Sequence, residues 1–128
     1  MIEVTAAIIQ HKENILIARR PPGDPLAGKW EFPGGKIEPG ETPEECLRRE
    51  IKEELSIGIV VGDFFAESIY NYPAKTIRLY AFWSAWLSGE IELRSHDTVE
   101  WVNIEDLKKF DFAPADIPFI NKLQGNSY

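Results

Sequence analysis

Cysteine occurs once in this chain of 128 residues, at Cys46. One thiol cannot close an internal disulfide, and a zinc site built on several cysteines is excluded. A reducing compartment such as the cytoplasm is the expectation that fits. Long apolar runs are also missing. No window approaches the ~20 residues of a bilayer-spanning helix, so no membrane partner is expected. The N-terminal run MetIleGluValThrAlaAlaIleIleGln has no basic region and no cleavage site, and reads as a strand rather than a signal peptide. Positive charge is scarce: 14 Lys and Arg stand against 21 Asp and Glu, a net charge of -7. Duplex nucleic acid, which is bound through basic side chains, is therefore not an expected partner. An acidic protein that handles a polyanion needs metal ions between the two.

What is present is an ordinary globular balance, 44% apolar and 27% charged, without repeats or low-complexity tracts. The length predicts a single domain over 1–128. Ile2–Gln10 and Asn14–Arg20 are β-rich runs separated by HisLysGlu, a hairpin signal. ProProGlyAspProLeuAlaGlyLys, 21–29, is a loop, TrpGluPhe a short extended piece, and Gly34–Glu41 a glycine-bearing loop. Thr42 opens a helix as N-cap, with Pro43 at the first helical position and Glu45 completing a capping box. Leu47, Ile51 and Leu55 give that helix a core face, and Gly58 follows its end. Ile59–Ile69, Thr76–Leu87 and Val99–Asn103 read as strands. Ile104–Lys109 reads as a short helix, Pro114–Leu123 as the start of a C-terminal helix, and GlyAsnSerTyr as a frayed tail. Strands outnumber helices and the main helix lies between strands, so a mixed sheet with helices packed on it is expected.

The main helix carries an electrostatic anomaly. At about 100° per residue, Glu50, Glu53 and Glu54 share one arc beside the core face. Arg48 and Lys52 lie on the far side, while Arg49 can reach Glu45 or Glu53 at i,i+4 spacing. Like charges at these spacings repel by a few tenths of a kcal/mol. Carboxylates near a helix C-terminus oppose the macrodipole at about 0.3–1 kcal/mol each. Glu44 and Glu45 in the first turn obey the rule that the last turns break, and such local violations are expected at functional sites. A hard divalent cation removes both penalties, since Mg²⁺ is bound by a few carboxylates together with substrate phosphates. A solvated acidic face is the plainer alternative. Gly34 and Gly35, just upstream, allow close approach of backbone to a ligand, which favours a metal–phosphate site. It is not a Walker loop, because no GlyLysSer/Thr follows.

Gly35, Glu41, Arg49, Glu50, Ile51, Glu53, Glu54 and Ile57 stand at the spacing of the Nudix hydrolase motif, and at these positions the chain resembles that family. Ser56 is the one departure, standing where the family has glycine. TrpGluPheProGlyGlyLys and PheAlaProAlaAspIlePro extend the likeness to the MutT-like branch, which includes 8-oxo-dGTP and CTP/dCTP pyrophosphohydrolases. The resemblance implies an α/β/α sandwich around a mixed sheet, helices on both sides. It implies that Glu50, Glu53, Glu54 and the Gly34 carbonyl bind Mg²⁺ or Mn²⁺. Arg49 then orients carboxylates and Glu41 supports the joint between loop and helix. The implied reaction is attack of water on the β-phosphorus of a nucleoside triphosphate, giving a monophosphate and pyrophosphate, with Glu53 as the preferred general base. Many relatives carry a further glutamate six residues before a tryptophan like Trp101. Here Ser95 stands there, followed by His96 and Asp97. Asp97 is a candidate substitute, and ordinary loop residues are the alternative.

On the substrate side, the resemblance implies phosphate binding by Arg20 and base reading by Asp116, whose carboxylate accepts from exocyclic amines or ring N–H groups. Phe32, with Tyr80 or Phe82, is a candidate to pack on a base, though strand aromatics are more often core. The four tryptophans are read as structural, Cys46 as a buried apolar group and His11 as a turn residue. The expected partner is a small-molecule nucleotide, and the expected assembly a monomer or homodimer. Two other functions compete: hydrolysis of another nucleoside diphosphate derivative such as ADP-ribose, and a nucleotide-binding module without catalysis.

Overall fold

The computed structural model describes residues 1–125. Beyond Gly125, the expected frayed tail lies outside the described residues. β1 (Ile2–His11) and β2 (Asn14–Arg19) form the expected antiparallel hairpin, turning through Lys12 at φ 57°. Their ladder is short, with Gln10 opposite Ile15 and His11 opposite Asn14. The two strands then separate, and the chain from Trp30 to Lys36 fills the gap. β3 (Trp30–Glu31) pairs with the far end of β2. Pro33 and Gly35 then present their carbonyls to the N–H groups of Ala7 and Thr5, at 2.7 and 2.8 Å. The glycine loop is thus held against the middle of the sheet.

The opposite edge of β1 pairs in parallel with β5 (Lys75–Ser88), which pairs antiparallel with β4 (Gly58–Tyr72). β6 (Thr98–Asn103) covers the free edge of β2. The result is the expected mixed sheet, in the order β3-β2-β1-β5-β4 with β6 against β2. β4 and β5 run further toward each other than expected, leaving Pro73 and Ala74 as the turn, with Thr76 Oγ1 donating to Asn71 Oδ1 at 2.6 Å.

Period-2 alternation along β1 and β2 sends neighbours to opposite faces. Ala7, Ile9 and Leu16 meet Leu47, Ile51 and Leu55 of α1 (Pro43–Leu55), all fully buried or nearly so. Ala6, Ile8, Ile15 and Ile17 meet Leu107, Phe112, Phe119 and Ile120 on the other face. Each aliphatic side chain buried this way contributes about 1.5–3 kcal/mol. Helices therefore cover both sides, α1 on one and a 3₁₀ turn (Ile104–Lys109) with α2 (Ile117–Leu123) on the other. The C-terminal segment is two pieces rather than one helix. Pro114–Asp116 is a 3₁₀ turn, and Pro118 in the first turn of α2 has no N–H to continue one ladder.

Candidate active site

The start of α1 is built as its local sequence dictates. Thr42 Oγ1 accepts from Glu45 N at 3.1 Å, and Glu45 Oε1 accepts from Thr42 N at 2.9 Å. This capping box removes Glu45 from the reach of Arg49. Arg49 turns instead to Glu41, donating from Nε at 2.7 Å, to Glu50 at 2.8 Å and to Glu53 at 3.3 Å, so one of its two expected partners holds and the other does not. It also donates to the Lys36 carbonyl at 3.2 Å, which ties loop to helix. The Arg49 fork holds the Glu41 carboxyl down to about 2. Cys46 is buried beneath this joint, 3.3 Å from Thr5 Oγ1, and burial pushes its thiol up to about 11. It is the small apolar group expected.

Both glycines are sterically required. A Cβ on Gly34 would stand 1.9 Å from the Thr5 carbonyl oxygen, and one on Gly35 would stand 2.2 Å from Glu50 Cδ. The Pro33 and Gly35 carbonyls are used by β1, and that of Gly34 between them takes no part in this pairing.

The three carboxylates of the stripe on α1, Glu50, Glu53 and Glu54, have different surroundings. Glu53 is 59% exposed and Glu50 16%. Glu54 is half-buried, and its Oε1 is sealed from solvent without a partner. Burial, then the charges of Glu31 and Glu50, push its carboxyl up to about 9. The unfavourable end of the helix is relieved in part by backbone, since Arg94 N donates to the Glu54 carbonyl at 3.1 Å and Glu92 N to that of Leu55 at 2.9 Å. Ser56 closes the helix at φ 63°, the left-handed conformation usually given to glycine.

Across the gap stand the other predicted residues. Arg20 donates to Asp24 at 3.1 Å and to Glu31 at 3.1 Å, so its guanidinium is already engaged. Asp116 is 4% exposed and accepts from Phe32 N at 3.2 Å. It makes no side-chain cap bond to the helix it precedes. Burial, and next the charge of Glu31, hold its carboxyl well above the usual range. Phe32 itself requires a correction. Its ring is 2% exposed against Phe112, so it offers a base no open face, and what it presents is the backbone N–H. Phe82 is core beside α1, while Tyr80 is half-buried and donates to Glu3. Trp86 and Trp101 stack, with His11 at their edge, so His11 ends β1 rather than forming the turn.

Asp97, the candidate for the place of the missing loop glutamate, is engaged by another side chain. Arg19 holds it at 2.9 and 3.2 Å. His96 is not an ordinary loop residue either. Its side chain is 4% exposed, and Nε2 lies 2.7 Å from Glu31 Oε2. Glu31 is the residue that the sequence reading passed over. It faces Arg20 and His96, and its charge acts on both Glu54 and Asp116. The one signal available was alternation, which turns Glu31 out of the sheet wherever Phe32 turns in.

The donor set fits a hard divalent cation. It consists of oxygens, one of them sealed and unpartnered, under a loop whose missing side chain leaves room for Glu50. Among the described residues no three acidic, histidine or cysteine side chains already close around a point. Arg49 draws Glu50 and Glu53 toward itself instead.

A glycine loop over a helix of carboxylates, within a sheet layered by helices, defines a phosphate-directed hydrolase of the α/β class. Residues 1–123 match the NUDIX domain, and the chain belongs to that family. It is similar to the CTP pyrophosphohydrolase of Escherichia coli strain K12, 39% identical over 120 residues, 94% of this chain and 89% of that protein. It is also similar to the 8-oxo-dGTP diphosphatase of the same organism, 38% identical over 126 residues, 96% of each. Among solved structures, the MutT protein from Methanosarcina mazei Go1 superposes with a TM-score of 0.87 at 27% identity, covering 97% of this chain and 93% of that one. Members of the family generally use a divalent metal. Among the described residues no helix is long and apolar enough to cross a membrane.

Proposed function

We propose that this chain hydrolyses nucleoside triphosphates, among them CTP, dCTP or oxidised forms such as 8-oxo-dGTP, to a monophosphate and pyrophosphate, with Mg²⁺ or Mn²⁺. The observation that carries the reading is the sealed, unpartnered Glu54 oxygen near Glu50, whose own carboxyl group lies against Gly35. The named relatives support the substrate class.

Glu50, Glu53, Glu54 and the Gly34 carbonyl are the groups that would hold the metal. When bound, the metal neutralises phosphate charge and lowers the pKa of the attacking water. Glu53, the most exposed of the three and tied only by a 3.3 Å bond from Arg49, takes the proton from water as it attacks the β-phosphorus. Arg49 keeps Glu50 and Glu53 aimed and does not touch the substrate. Arg20, with its guanidinium spread between Asp24 and Glu31, meets the phosphates from the opposite side. Asp116, fixed by Phe32 N, reads the base, with its carboxyl raised above the usual range by burial and then by the charge of Glu31. Glu31 links the two ends, since its charge acts on both Glu54 and Asp116. The protein acts in the cytoplasm, where its free thiol stays reduced, as a monomer or homodimer.

The test is a panel of ribo- and deoxyribonucleoside triphosphates, 8-oxo-dGTP included, with Mg²⁺ and products separated by chromatography. In ¹⁸O-water, label is expected in pyrophosphate, which marks attack at the β-phosphorus. Label in the monophosphate would assign attack to the α-phosphorus, and no turnover of any triphosphate would refute the reading.

A further inference from the structure

The loop between β5 and β6 carries, one residue before its end, a histidine without a role in the proposed reaction. The His96 side chain is 4% exposed and its Nε2 stands 2.7 Å from Glu31 Oε2. A carboxylate oxygen accepts, so Nε2 carries the proton and donates. Nδ1 is buried with no partner, which leaves the ring a single polar contact, the one to Glu31. The other Glu31 oxygen is held by Arg20 at 3.0 Å. Burying a histidine with one nitrogen unsatisfied costs stability, and a phenylalanine or leucine would fill the space without that cost. A polar ring kept there at a loss points to what the ring does for Glu31.

Glu31 stands where two halves of the site meet, since its charge acts on Glu54 toward the phosphates and on Asp116 toward the base. A carboxylate pinned at both oxygens keeps spare lone pairs in fixed directions. It can then accept from one donor of a passing nucleoside, either a sugar hydroxyl or an amino group on the base.

We propose that His96 is a positioning residue: by donating to Glu31 it fixes the direction in which that carboxylate accepts from the nucleoside part of the substrate, and so sets which nucleotide is preferred. This rests on the nucleotide-hydrolase reading above. The loop places His96 for the task by local means. Glu92 N and Arg94 N are bonded to the last carbonyls of α1, and Asp97 is clamped by Arg19, so the ring between them is carried by a segment fixed at both ends.

The experiment compares wild type, His96→Ala, His96→Gln, Glu31→Gln and the His96→Ala/Glu31→Gln double variant. Each is assayed on CTP, dCTP, UTP and dUTP, and the ring N–H of His96 is followed by NMR. Loss of one hydrogen bond to a charged group predicts a KM raised about tenfold for the preferred nucleotide in His96→Ala. kcat is expected to hold within about twofold, the sign of lost ground-state binding. His96→Gln, which keeps a donor, restores most of the KM. The double variant is no worse than Glu31→Gln alone, because the two residues act as one unit. A preference lost between ribo and deoxy forms assigns the accepted donor to the sugar, and one lost between cytidine and uridine forms assigns it to the base. Additive losses, equal losses on all four nucleotides, or a fall in kcat and thermal stability with KM unchanged would each overturn the proposal. If the wild type hydrolyses none of these four and no other triphosphate, 8-oxo-dGTP included, the nucleotide reading fails. The pairing itself is then still decided by NMR, where a His96 signal unmoved by Glu31→Gln refutes it.

Discussion

Gly35 lies against the carboxyl group of Glu50 so closely that a single added carbon would stand 2.2 Å from Glu50 Cδ. Glycine here serves side-chain placement, since Gly35 is not among the residues with positive φ. Gly35→Ala is expected to push Glu50 aside and lower kcat by about 100-fold, the usual effect of a displacement near 1 Å at a reacting centre. Steady-state kinetics beside a thermal melt separates that loss from unfolding. Full activity in Gly35→Ala would show that the position of Glu50 is unimportant.

Glu54 is the natural reporter of metal binding. Divalent cation at about 100 times its dissociation constant should stabilise the wild type by about 2.7 kcal/mol. Glu54→Gln keeps the shape but loses a charged oxygen donor, and its gain should shrink to a small fraction of that. Thermal melts with Mg²⁺ or Mn²⁺ and after chelation read the difference. Equal gains in both proteins would remove Glu54 from the ligand set.

Asp116 gives a pH dependence with a definite sign. Its folded-state value is held above the unfolded one by burial, so the folded state binds the extra proton. Its contribution to stability is complete below about pH 4, near the unfolded value, and is lost as pH rises through the folded value. Asp116→Asn keeps an oxygen for Phe32 N and has nothing to ionise. At neutral pH it should gain about 0.5–2 kcal/mol while losing selectivity among bases. Urea unfolding at several pH values checks the slope, and a variant with the wild-type slope would contradict the assignment.

Ser56 adopts φ 63°, where a side chain costs about 1 kcal/mol relative to glycine. Its hydroxyl accepts from Arg94 Nε at 2.7 Å on an exposed surface, which offsets part of that cost. Ser56→Gly should therefore stabilise by about 0.5 kcal/mol with kcat unchanged. A destabilised variant would mean that the Arg94 contact outweighs the backbone strain.

The helix side of the site was legible because its causes are local. Thr42, Pro43 and Glu45 write the start of α1, and Leu47, Ile51 and Leu55 write its inner face. The stripe of Glu50, Glu53 and Glu54 then follows from the helical period. The opposite wall was not legible. His96 meets Glu31 across 65 residues of chain, Asp97 meets Arg19 across 78, and Asp116 meets Phe32 N across 84. No periodicity connects such pairs, so Asp97 read as a possible ligand, Phe32 as a stacking platform and His96 as loop.

The amino-acid order by itself determined the elements, the two faces of β1 and β2, the capped helix and the spacing of its carboxylates. Each depends on neighbours within a few residues, whose geometry is set by the period of strand or helix. Only the tertiary structure decided that the chain from Trp30 to Lys36 threads between β1 and β2. That placement brings Gly35 under Glu50 and turns Glu31 to face Arg20 and His96. The reason is physical: β1 and β2 part after a short ladder, their open edges must find backbone partners, and the segment that satisfies them becomes the floor of the site.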